Sequence, residues 1–153
     1  MLRQIYPERW LRIHSLPESK RYDETEEEYA ELFHRHNAVA TQALGEGSQC
    51  YLIQGFWVEP EEGQSGWVVS LEGEELNLRF EVTEVIWSHS GHDALLREVA
   101  DRKTANVVFV SYGSRRIYAP YDGGADLICR NEQERDEWKR AYSAWLSAYP
   151  EGL

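Results

Sequence analysis

The stretch that most constrains this chain is its last third, RRIYAPYDGGADLICRNEQERDEWKRAYSAWLSAYPEGL, residues 115–153. Two short β-like runs, Arg116–Ala119 and Ala125–Cys129, flank Pro120-Tyr121-Asp122-Gly123-Gly124. Asp-Gly between apolar runs is a strong short-range hairpin signal, so Asp122-Gly123 is read as the turn. Asn131 then caps a helix on which Trp138, Ala141, Tyr142, Trp145, Leu146 and Tyr149 share one face. A hairpin followed by an aromatic helix is a lid, and the rest of the chain has to supply the sheet it closes.

It does so in order. Trp10-Leu11-Arg12-Ile13-His14 alternates with the period of a half-buried strand and is ended by Leu16-Pro17. Thr25-Glu26-Glu27-Glu28 matches a capping box, with Glu28 reaching back to the cap amide, and the six acids between Asp23 and Glu31 suit the positive end of the helix dipole. That helix is expected to run to about Leu44, stopped by Gly45 and Gly47, with Tyr29, Leu32, Phe33, His36, Ala40 and Ala43 as its buried stripe. Cys50–Val58 reads as a central strand, Glu59–Gly66 as an exposed loop, and Trp67–Leu71 and Leu76–Val82 as two further strands. Ser90-Gly91-His92-Asp93 resembles a second cap, opening a helix from Asp93 to about Arg102, and Asn106–Val110 is one more strand. The order β-α-β-β-β-α-β-β-β-α predicts a single α+β domain over residues 1–153. Its mostly antiparallel sheet has five to seven strands, with two or three helices packed on it.

Composition narrows the function. A chain of 153 residues, 42% hydrophobic and 28% charged, suits one globular domain. Arg3, Glu8, Arg9, Arg12 and Lys20 break up the start, so no secretory signal is expected, and no run reaches the length of a membrane span. Cys50 and Cys129 fall in apolar segments and read as buried free thiols of a protein kept in a reducing cytoplasm. A net charge of −11 opposes sequence-independent binding to nucleic acid or to anionic membranes; solubility alone accounts for it, and it permits a basic protein partner.

Trp10-Leu11-Arg12-Ile13-His14-Ser15-Leu16-Pro17-Glu18-Ser19-Lys20-Arg21-Tyr22 at one end resembles a group of small bacterial proteins of unknown function. So do Ala119–Leu127 and Trp145-Leu146-Ser147-Ala148 at the other. The resemblance implies a bacterial, cytoplasmic, one-domain protein and carries no activity with it.

Candidate sites are few. His89-Ser90-Gly91-His92-Asp93 packs two imidazoles and a carboxylate together, but a catalytic metal needs three converging ligands, and Ser90 and Asp93 have a capping role; no metal is expected. His36 reads as a packed core histidine and His34 as solvated, while the face occupied by His14 is open. Arg12, Lys20 and Arg21 could cradle an anion beside a capped helix start, although pairing with Glu26–Glu28 competes. Asp122 and Asp126 could form an acid–base pair or a Ca²⁺ clasp, yet the further oxygen ligands of a Ca²⁺ loop are absent and the turn accounts for Asp122; Asp126, sharing a strand face with Ile128, has no evident reason to be there. No nucleotide-binding loop and no nucleophile elbow occurs, and no cofactor is implied.

Three readings follow. The first is a non-enzymatic protein-binding module, in concrete form an immunity or antitoxin protein, with Arg12, Lys20, Arg21, Tyr121 and Asp126 as binding residues and acid-rich loops at 59–63 and 72–75. The second is a small hydrolase or transferase using Asp122 or Asp126 with His14, His89 or His92. The third is a homodimer formed through exposed Trp57 and Trp67.

Overall fold

A computed structural model describes residues 2–58, 67–71 and 74–146. The chain runs α1 (Leu2–Ile5), β1 (Trp10–His14), a 3-10 turn (Pro17–Ser19), α2 (Glu26–Leu44), β2 (Gln49–Val58), β3 (Trp67–Leu71) and β4 (Glu74–Ile86). It continues through α3 (Asp93–Ala100), β5 (Val107–Ser111), β6 (Arg116–Tyr121), β7 (Gly124–Ile128), α4 (Glu132–Ala141) and a closing 3-10 turn (Ser143–Trp145). Apart from the four-residue α1, which the sequence does not announce, this is the expected order. The acid-rich stretch 59–63, residues 72–73, Tyr149 and the side chain of Trp67 lie outside the described residues.

Among the described residues, all strands join one seven-stranded sheet in the order β1-β7-β6-β5-β2-β4-β3, with every pairing antiparallel. Because side chains alternate along a strand, the register fixes its two faces. Leu11, Ile13, Leu52, Phe109, Tyr118, Ala125 and Leu127 share one face and meet Val39, Ala40 and Ala43 of α2, Leu96 and Val99 of α3, and Trp138 of α4. Trp87, just past β4, closes this core: it is fully buried, stacks on His92 at 5.1 Å, meets Phe109 and Tyr118 edge-on, and donates its indole N–H to Thr41 Oγ1. His36 is indeed a packed core histidine, held between Ser15 Oγ at 2.8 Å and Tyr118 Oη at 2.6 Å. Cys50 and Cys129 are buried free thiols.

The caps at Thr25 and Asn131 form as read, each accepting the amide three residues on. Glu28 and Glu134 reach back one residue further than a capping box requires, to the amides of Glu24 and Arg130. Ser90 does not cap α3. It adopts a left-handed φ of 61°, and its amide is taken by the side chain of buried Asn37, which also holds Asp93 at 2.7 Å; His92 occupies the cap position without capping the helix through its side chain. The aromatic lid is also two pieces rather than one helix. Tyr142 leaves helical dihedrals, so Trp145 turns back to stack on Tyr142 at 4.9 Å and to meet Arg35 and His34 of α2.

Candidate functional site

The hairpin turn is the two-residue loop Asp122-Gly123, since Tyr121 pairs with Gly124. Gly124 sits where β1 passes closest: a Cβ there would lie 1.9 Å from the carbonyl oxygen of Ile13. That approach docks β1 on β7 and places Arg12 opposite Asp126 and His14 opposite Gly124. Asp126 is thereby explained. It takes Arg12 in a two-point pair, Nε to Oδ1 at 2.7 Å and Nη2 to Oδ2 at 3.1 Å, on the sheet face turned away from the helices.

Around this pair lies a cleft of about 440 Å³ lined by Arg12, His14, Ser19, Arg21, Tyr121 and Gly123. Arg21 reaches it from the connection after β1 and donates through Nη2 to both oxygens of Asp122. Burial alone would weaken the charge on Arg12; the hydrogen-bonded Asp126 more than offsets it. Burial and the neighbouring Arg12 and Arg35 push the His14 imidazole below its ordinary value, keeping it neutral, and burial pushes Tyr121 up to about 12, so its hydroxyl keeps its proton. Arg12 also lies over the Tyr121 ring at 4.8 Å. Lys20 points elsewhere, bonded to Glu24 and Glu28. Pairing with the helix-start acids therefore holds for Lys20, while Arg12 and Arg21 are taken by the hairpin aspartates.

The residues of the hydrolase reading are split: His14 stands on the same sheet face as Asp126, diagonally across the β1–β7 pairing, whereas His89 and His92 are not brought to it. His92 packs on Trp87 and Phe109 on the helix side of the sheet, and His89 is exposed with its amide on Glu46. His14 stands on the opposite face, three strand spacings away along the sheet, roughly 14 Å. Both aspartates are held by arginine, and among the described residues no three His, Cys, Asp or Glu side chains gather as a metal site.

The same open face continues into a second feature. Beyond the cleft it carries Ile117 of β6, Val108 and Val110 of β5, then Tyr51, Ile53 and Trp57 of β2 against Phe80, Val82 and Ile86 of β4. Tyr51, Trp57, Phe80, Val82 and Ile86 are between 40% and 62% exposed. An antiparallel sheet with one solvated face ordinarily turns polar residues outward. Here the clean alternation Leu78-Arg79-Phe80-Glu81-Val82 turns the apolar set outward, away from the core. Ile53 stands opposite Val82, and Phe80 lies over Gly55, where a Cβ would come within 3.1 Å of its ring, so the patch is continuous. Sequence reasoning reached Trp57 but not Phe80, Val82 or Ile86. Alternation shows that one face is apolar; it does not show whether that face meets the core.

Fold and surface together define a class: an α+β protein whose antiparallel sheet is covered by helices on one side and, beyond buried Trp10 and Ile128 at the β1–β7 edge, left open on the other. The chain belongs to the family described as a domain of unknown function (DUF3885), whose model matches residues 1–150. Neither the curated proteins nor the solved structures give a match.

Proposed function

We propose that this chain is a protein-binding module that seats the apolar surface of a basic protein on its open sheet face. The observation that carries this is the row Tyr51, Trp57, Phe80, Val82 and Ile86, exposed on a sheet face where solvent alone would select polar residues. Aromatic and aliphatic side chains clustered in this way are what interface centres are made of. The net charge of −11 favours a basic partner over a second copy, because two copies repel and a cationic protein is attracted. The concrete form is an immunity- or antitoxin-type protein that covers a cationic toxin. The two free thiols agree with a reducing cytoplasm, and no described helix is long and apolar enough to cross a membrane.

The test is co-purification from the native host, and rescue of toxicity by co-expression with neighbouring genes, for the natural chain and for a Phe80→Asp/Val82→Asp variant. A basic partner retained by the natural chain and lost by the variant, with unchanged circular dichroism, is the expected result. A monomer that holds no partner at physiological salt overturns the reading. Self-association in sedimentation at two concentrations would replace the basic partner with a second copy.

A further inference from the structure

We propose that the cleft between β1, the 17–21 connection and the 121–124 hairpin binds a small oxyanion, the carboxylate or phosphate of a low-molecular-weight ligand, through Arg12 and Arg21. In a chain of net charge −11, two of the side chains lining this cleft are arginines and none is acidic. The arginine is the more exposed member of each pair, widely so for Arg21 at 60% against 17% for Asp122 and narrowly for Arg12 at 22% against 16% for Asp126. The cleft therefore presents cation to solvent although each pair is formally neutral.

The pairing also leaves donors over. Asp126 holds Arg12 through Nε and Nη2, and Asp122 holds Arg21 through Nη2 alone. Among the described residues, Nη1 of Arg12 and both Nε and Nη1 of Arg21 make no hydrogen bond. A guanidinium anchored on one side and free on the other is pre-oriented, so a ligand meets a fixed fork and little side-chain freedom is lost. Arg12 is fixed further by Tyr121 beneath it. Tyr121 and Ser19 also line the cleft, and a hydroxyl can act as a neutral donor. Planar carboxylate and tetrahedral phosphate both match an arginine fork, so this chemistry is common to the two ligand sources. The inference is independent of protein docking on the apolar part of the face, because it rests on other residues.

The test is a titration of the full chain, followed by amide and arginine Nε resonances, with inorganic phosphate and separately with succinate, ionic strength being held constant with sodium chloride. Saturating shifts confined to Arg12, Ser19, Arg21 and Gly123 are expected. Phosphate alone would assign a phosphoryl ligand, succinate alone a carboxylate, and both the shared chemistry. Arg21→Gln should weaken binding by about tenfold, the loss of one charge-assisted bond. Arg21→Lys, which keeps the charge without the fork, should fall between the two. Arg21 is exposed, so neither variant threatens the fold. Shifts that stay linear, spread over the surface, or persist unchanged in Arg21→Gln overturn the proposal.

Discussion

His36 is the only histidine of α2 locked in the core, and its position has a pH signature. It is 2% exposed, hydrogen-bonded to Ser15 and Tyr118, and burial, with Arg35 nearby, lowers it from 6.5 to about 4. A histidine depressed in the folded state favours folding while it is neutral. The contribution is therefore complete above pH 6.5 and is lost as pH falls from 6.5 towards 4, where the unfolded chain takes up the proton first. The fall amounts to about 3 kcal/mol. Urea denaturation at a series of pH values between 7 and 4 should show it, and a His36→Gln variant should lack most of this slope. Asp126 makes the complementary point about reading residues. From the sequence it is an acid with no reason on a strand face; its reason is Arg12, 114 residues earlier, which only the β1–β7 register reveals.

At the scale of elements, local signals were legible and non-local ones were not. Asn131 and Thr25 cap their helices, Gly45 ends α2 with a left-handed φ of 92°, and Asp122-Gly123 turns the hairpin, because each depends on neighbours within a few residues. Ser90 does not cap because α3 starts at Asp93, which puts His92 at the cap, while Asn37, on another helix, holds the Ser90 amide. The core role of Trp87 was invisible because it lies outside any periodic run, and the outward turn of the β4 alternation follows from where the helices settle. Charge and sequence proximity point to Arg12, Lys20, Arg21, Tyr121 and Asp126 as binding residues; Lys20 turns away to Glu24 and Glu28, whereas the contributions of Ser19 and Gly123 to the cleft appear only once the connection and hairpin are folded. The start of α4 shows how closely caps and ion pairs are joined. Glu134 is buried, a circumstance that opposes its charge, yet hydrogen bonds from Arg116 and Arg130 draw its carboxyl down to about 2. Glu134→Gln should cost about 3 kcal/mol, because Arg116 remains in place without its counter-charge. Thermal or urea unfolding measures this, and the loss should shrink when Arg116→Met is added to the variant.

For the molecule as a whole, one side of the sheet makes the core and the other meets solvent except at the β1–β7 edge, where Trp10 and Ile128 are buried on it, so away from that edge two kinds of substitution should separate cleanly. Apolar residues facing α2 and α3 carry stability; apolar residues facing outward carry association. Trp87→Ala should destabilise by about 3–5 kcal/mol. Val82→Asp should leave the unfolding midpoint nearly unchanged, since surface changes away from special features fall within about 0.5 kcal/mol. Equal losses from both would mean that the outward face is covered from within the chain.

The strand order also carries a schedule. β1 is made early but has its place only against β7, at the far end of the chain, so on the ribosome it leaves the tunnel with nothing to pair with. Helices α2 and α3 and the β2–β4 ribbon can assemble while synthesis continues; the edge cannot close until Ile128 has emerged. Long-range pairings of this kind are slow to form. During refolding, amides of β2 and β5 should gain protection from hydrogen exchange before those of Leu11 and Ile13. The cleft beside Arg12, built on that last pairing, would then be completed only when the rest of the molecule is already in place.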